Sequence, residues 1–324
     1  MRSWLAPFAL GLASVGCGPE SIRDSQTSRS PVMRLDEVAS TALPAAFAVG
    51  GVRLGSSALI VWSDDPLIAV VSLADLQRIG VVRLDDPIVH VEETSLGDFE
   101  VLHATELHLH SRDGPLRRRL WKADGVIAVS GLRIANQWIV LGRERAGELV
   151  LIAIDSTGRE RRVRSPPVVR SMFELADSSL ARPVLIGDFD GRVVVTQVQS
   201  PHLSVLLDSH GVVQREWQPP ETSVDTIGGA KVVWVALPMI QLYCGAIQTI
   251  ADLTSDRRRL VAFDDDGRVL RSVEMEVPLG IAASIPSNGR VFALRRAAGL
   301  EVVEYRFRWV NQPSSEESRR CDGT

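Results

Sequence analysis

Lysine is nearly missing from this chain of 324 residues. Lys122 and Lys231 are the only two among 36 basic residues, so arginine supplies the other 34. That bias reads as a habit of GC-rich coding, because 40 acidic residues outweigh the cations and the formal net charge is -4. A slightly acidic chain has no global attraction for nucleic acid or anionic lipid. Aromatic residues are 5% of the total, too sparse for a stacking platform. Three cysteines are too few for a disulfide scaffold. No apolar run approaches the roughly 20 residues of a membrane-spanning helix. Gly-x-Ser-x-Gly, His-Glu-x-x-His and P-loop motifs are all absent, so no catalytic residue and no cofactor is assigned. What is present is apolar residue, 45% of the chain, which excludes disorder and suffices for one large domain or two small ones.

The N-terminus carries an address. Arg2 is followed by an apolar run from Leu5 to Val15, which suits the h-region of an export signal. It ends in Ser14-Val15-Gly16-Cys17, small residues before a cysteine. This resembles the lipobox of bacterial lipoproteins, with Ser14 standing where that family usually has an aliphatic residue. The resemblance implies a lipidated Cys17 as mature N-terminus, held in the envelope by acyl chains alone. The alternative is an ordinary secretory signal, for which Gly18-Pro19-Glu20 is a poor cleavage context. The expected organisation is a lipoprotein signal peptide over 1–16, and a lipidated cysteine with flexible tether over 17–31. A folded domain over 32–311 and a polar tail over 312–324 follow.

From residue 32 onward, apolar runs of four to seven residues alternate with Gly, Asp, Ser and Pro, and no stretch holds a helical period for three turns. The domain is therefore all-β. A unit recurs: an apolar strand, a short Gly turn, then an Arg- and Val-rich strand. Its instances lie at 67–84, 106–120, 148–163, 204–217 and 259–273, and a sixth strand at 301–310 lacks its partner. A further strand precedes most units, among them KVVWVAL at 231–237. Spacings of about 38 to 56 residues suit four-stranded propeller blades. VMRLDEV at 32–38 matches VVRLDDP at 81–87, the outer strand of the first unit, so the leading strand is expected to complete the last blade. The expected fold is a six-bladed β-propeller of four-stranded antiparallel blades closed by the N-terminal strand; five or seven blades are the alternatives.

The turns Asp264-Asp265-Asp266-Gly267 and Asp208-Ser209-His210-Gly211 carry a resemblance to six-bladed propellers of NHL-repeat type, and to the propeller lipoproteins of bacterial envelopes. The resemblance implies that the Gly turns lie on one face and that ligands bind the opposite face. There the second and third strands of each blade are joined. Its loops are Ser63 to Pro66 with Asp64, Arg143-Glu144-Arg145, Gln197 to His202, the stretch Leu237 to Arg257, and Arg295-Arg296. Asp64, Arg143, Arg145, His202, Arg295 and Arg296 are the expected ligand-binding residues. Converging arginines there would favour an anionic ligand, because their forks take carboxylate or phosphate bidentately.

Other candidates read as structure. His108 and His110 share a strand face with His103 nearby, yet no Cys or carboxylate cluster stands at ligand spacing. A solvated or partly packed pair in an outward strand is expected, and no metal. Asp264 to Asp266, and Asp188 with Asp190, are turn residues rather than a calcium loop. Arg117 to Arg119 and Arg257 to Arg259 read as solvated charges on edge strands. Cys244 and Cys321 are a candidate disulfide pair in an oxidising compartment, with a buried Cys244 and a disordered Cys321 as the alternative.

The resulting expectation is an envelope-anchored, monomeric binding module on the periplasmic or outer-membrane face. It touches the membrane through its lipid only, touches no nucleic acid, and binds a small molecule, glycan or envelope protein through its loop face. The alternative is an exported hydrolase or lyase acting on a sugar or lactone at the central pocket, signalled by convergence of Asp64, Asp65, Glu144 and His202.

Overall fold

The computed structural model describes residues 32–310, apart from 45–46, 48, 64, 164, 176–183, 200–201, 209–210, 220–225, 228–229, 232–233, 238, 243–244, 253–256, 265, 276–278 and 297–298. The signal, the tether, the C-terminal tail, Cys17, Asp64, Cys244 and Cys321 lie outside the described residues.

Six antiparallel blade sheets follow one another along the chain, with a two-stranded hairpin, Thr226–Ile227 and Ala230–Lys231, between the fourth and fifth. The first blade comprises Val49–Leu54, Ala58–Ser63, Leu67–Ser72 and Arg78–Arg83, and the second His90–Glu93, Phe99–Leu102, Glu106–His110 and Leu116–Lys122. The third is Val126–Ile134, Gln137–Glu144, Leu149–Ile154 and Glu160–Arg162, and the fourth Val184–Phe189, Arg192–Gln197, Ser204–Leu207 and Val213–Trp217. In the fifth, two short pieces, Trp234–Ala236 and Ile240–Gln241, share the inner edge of Ala246–Asp252, followed by Arg258–Phe263 and Val269–Met275. The sixth runs Leu279–Ile285, Arg290–Arg296, Leu300–Val310 and finally Val32–Ala42. First strands of successive blades touch all the way round, the sixth against the first. The ring of six is closed.

Continuous apolar runs form these strands because each blade is buried on both faces. In the first blade Leu59, Val61, Ala69 and Val71 face the sixth, while Ala58, Ile60, Trp62, Ile68 and Val70 face the second. The same alternation yields six separate apolar layers, one between each neighbouring pair of blades. There is no single central core.

Closure follows the expected route. Val32 pairs with Val310 and Leu35 with Phe307, and the pairing runs on past a bulge at Glu37–Ala39 to Ala42 opposite Glu301. The expected turns form as well. In Asp155–Gly158, Asp208–Gly211 and Asp264–Gly267 the glycine N–H donates to the aspartate carbonyl at 2.9–3.0 Å. Gly158, Gly211 and Gly267 have φ of 83°, 77° and 84°, the left-handed region where a Cβ is strained.

Three readings need correction. KVVWVAL at 231–237 is not a second strand: Trp234–Ala236 lies on the inner edge of the fifth blade. The stretch Leu237 to Arg257 is accordingly no single loop. It holds the rest of that inner strand and the second strand Ala246–Asp252. A one-residue change of register between the two inner pieces breaks the alternation on which the reading relied. Arg258 and Arg259 begin a third strand and are half-buried, unlike the exposed Arg117 to Arg119 on an outer strand. A short helix, Pro167–Leu175, also lies between the third and fourth blades, with Val169 and Met172 buried. Proline suits the first helical position, and nine residues are too few to show a period of three turns.

Candidate functional site

The inner strands surround a channel, and one of its ends is crossed by charge. Arg53 is the next-to-last residue of the first blade's inner strand. Its Nε donates to Glu92 Oε2 of the second blade at 2.9 Å. Its Nη2 donates to Asp188 Oδ2 of the fourth blade at 3.0 Å and reaches the Arg133 carbonyl of the third at 3.4 Å. In a ring of six the first and fourth blades stand opposite each other, so the Arg53–Asp188 contact runs across the axis. Glu92 also accepts from the Arg133 N–H at 3.1 Å and lies 3.0 Å from His90 Nε2. His90 is set edge-on between Trp62 and Trp138.

Burial works against the Arg53 charge, but Glu92 and Asp188 more than restore it and leave its pKa raised. Burial also pushes Glu92 up, and its contacts with His90, Arg53 and the Arg133 N–H outweigh that and hold it below the usual carboxylate range. All four strand positions directly precede hairpins to second strands. This end therefore carries the Gly turns, and the network crosses the channel there. Asp188 was read as a turn residue only. Its Oδ1 does accept from the Gly191 N–H at 2.9 Å, while its other oxygen serves the network.

The opposite end carries the second-to-third-strand loops. Arg145 and Arg296 are exposed there, on the third and sixth blades, and Arg143 is half-buried. Arg295 turns outward: it donates to Glu37 at 2.6 and 3.2 Å and to Glu301 at 2.8 and 3.2 Å, which clasps the closing strand to its blade. Glu144 pairs with Arg162 of its own blade, and Asp65 is exposed. His202 is 1% exposed at a φ of 58°. Its Nδ1 lies 2.9 Å from the Val198 carbonyl, which only accepts, and burial holds the ring below its ordinary pKa of 6.5. Glu144 and His202 are thus each engaged within their own blade rather than with one another.

Several polar groups had no motif to announce them. Between the fourth and fifth blades Ser204 Oγ lies 3.0 Å from both Thr196 Oγ1 and Gln248 Nε2, all fully buried. A cleft of about 230 Å³ between the third and fourth blades is walled by Ile139, Leu151, Val193 and Leu207, with Arg161 and Arg192 at its polar side. His103, His108 and His110 of the second blade are buried together, at 6–7% exposure, more fully than the solvated or partly packed pair expected. The sheet explains this: His108 and His110 lie opposite Val101 and Phe99, residues that fill the layer against the first blade.

The class is thereby defined: a six-bladed propeller whose channel is crossed at one end by ion pairs. No family model and no curated protein matches the chain. Solved structures similar in chain path include the Pan2 WD40 domain of Neurospora crassa, at 7% identity and a TM-score of 0.49 over 87% of this chain and 98% of that one. The WD40 propeller of Doa1 is similar at 12% identity and 0.49, covering 88% and 98%. BamB from Moraxella catarrhalis is similar at 10% and 0.41, covering 85% and 100%. Blade number and closure rest on the strand pairing itself. No helix among the described residues is long and apolar enough to cross a membrane.

Proposed function

We propose that the chain is a lipid-anchored, exported propeller that binds a partner through its second-to-third-strand loop face. The observation that carries this reading is the ion-pair bridge across the other end. With Arg53 bridging to Glu92 and Asp188, a ligand seated over the axis has the loop face to approach. Exposed Arg145 and Arg296 give that face cationic groups, which suit an anionic small molecule, a glycan bearing acid groups, or an acidic patch on an envelope protein. Propellers host binding, scaffolding and catalysis alike, so the fold alone does not choose among them. Lipidation at Cys17 would hold the ring near the membrane with a tether of about a dozen residues.

Photo-crosslinking in cells tests the face. A benzophenone amino acid at position 145 or 296 is expected to capture an envelope component, and the same probe at exposed position 112, on a Gly turn, is not. Capture from position 112 alone would reverse the assignment. Cys17→Ser is expected to abolish palmitate incorporation, and undiminished label would remove the anchor.

A further inference from the structure

Where the second blade meets the first, apolar packing gives way to imidazole. Val91, Phe99 and Val101 fill the layer near the axis, and His103, His108 and His110 continue it outward on the same sheet face. The ring centroids lie 4.7 Å apart for His103–His108, 5.7 Å for His108–His110 and 6.0 Å for His103–His110. One ring nitrogen from each lies within 4.8 Å of those of the other two.

Hydrogen bonding fixes which nitrogens are free. His103 Nδ1 lies 2.9 Å from the Pro87 carbonyl and His110 Nδ1 lies 2.8 Å from the Gly114 carbonyl. A carbonyl only accepts, so both Nδ1 atoms carry the proton and both Nε2 atoms present a lone pair. Those two Nε2 atoms are buried and have no hydrogen-bond partner. His108 Nε2 lies 2.7 Å from Glu106 Oε2, which leaves its Nδ1 as the lone-pair nitrogen of the neutral ring. A desolvated lone pair without a partner is destabilising, and this cluster holds two of them on neighbouring rings. A neutral imidazole with its lone pair unengaged is the state that binds metal.

We propose that His103, His108 and His110 bind one divalent transition-metal ion, zinc or a first-row neighbour with the same taste for imidazole, at the seam between the first and second blades. The partners of the opposite ring nitrogens are those a metal site needs. The Glu106 carboxylate and the carbonyls of Pro87 and Gly114 fix tautomer and orientation, as second-layer groups do around bound zinc. A tetrahedral ion at about 2.0–2.1 Å from each nitrogen brings the nitrogens to about 3.3 Å from one another, so modest ring rotations complete the site. Three protein ligands leave a fourth position. Asp85 and Asp86, exposed on the connector between the two blades, set a negative field at these rings. Pro87 belongs to that connector and Gly114 packs against Val82 of the first blade. All three ligands belong to the second blade, so the ion would brace that blade where it meets the first. His103 sits in the second-to-third-strand loop of its blade and the other two rings on the third strand beyond it, and metal binding here does not depend on the proposed function.

Zinc titrated calorimetrically into the full chain, purified without a polyhistidine tag and stripped with EDTA, is expected to show one site at pH 7.5. His103→Gln/His110→Gln is expected to abolish it, and Glu106→Gln to weaken it by about 10–100-fold. Binding is expected to fade below pH 6.5 as protons compete for the rings, which face Glu106, Asp85 and Asp86, with Arg119 and Lys122 beyond Glu106. X-ray absorption of the zinc-loaded wild type is expected to show about three imidazole nitrogens, and it decides the matter if the double variant does not fold. No binding by the wild type, retained binding in a folded double variant, or a shell without imidazole overturns the proposal.

Discussion

Replacing Arg53 by methionine keeps much of the side-chain volume and removes the charge that spans the channel. Glu92 is then left buried beside Asp188 with no cation between them. Two charge-assisted hydrogen bonds, at 2.9 and 3.0 Å, are lost. Bonds of that kind are worth about 1.5–3 kcal/mol each. The side chains of Arg53 and Asp188 are 21% and 27% exposed, so water recovers part of the loss. About 2–3 kcal/mol remains, which for a domain of this size is a fall of roughly 4–12 °C in melting temperature. Differential scanning calorimetry at pH 7 measures it. The triple variant Arg53→Met/Glu92→Gln/Asp188→Asn is expected to recover most of the loss, because no uncompensated charge stays behind. The sign of the pH dependence follows from Glu92. Its folded pKa lies below the ordinary 4.5, so its contribution is present above that pH and disappears as pH falls through the folded value. The gap between wild type and Arg53→Met should therefore narrow below pH 4.5. A variant melting within a degree of wild type at pH 7, or a gap independent of pH, would refute the cross-channel bridge.

Arg295→Ala removes the clasp on the closing strand. Because Glu37 is 43% exposed, the expected cost is about 1 kcal/mol, seen as faster amide exchange over residues 32–42 in mass spectrometry while the third blade is unchanged. Gly267→Val forces a side chain onto a φ of 84° and against the Glu216 carbonyl, 2.8 Å from the new Cβ, and should destabilise by about 1–3 kcal/mol in urea titration. His103, His110 and His202 all have folded pKa values below 6.5, held down first by burial. The unfolded chain takes up their protons first, so in EDTA the melting temperature should fall as pH drops below 6.5, and less steeply in His103→Gln/His110→Gln.

The sequence on its own determined the ring. Strand repetition, Asp-to-Gly turns and the kinship of 32–38 with 81–87 are local signals, because a hairpin is made by neighbours and a strand buried on both faces must read as an unbroken apolar run. The same logic failed at 231–241, where a shift of register splits the inner strand and hides its alternation. What only the tertiary structure decided is every contact between blades. Arg53 and Asp188 are 135 residues apart and meet because the ring sets them opposite each other. Arg295, read as a ligand arginine, meets Glu37 through closure across 258 residues. His103, His108 and His110 were legible as neighbours, but whether they face water or the next blade depends on which side of the sheet the ring turns inward. Alternation along a strand separates two faces. It does not say what will be packed against each.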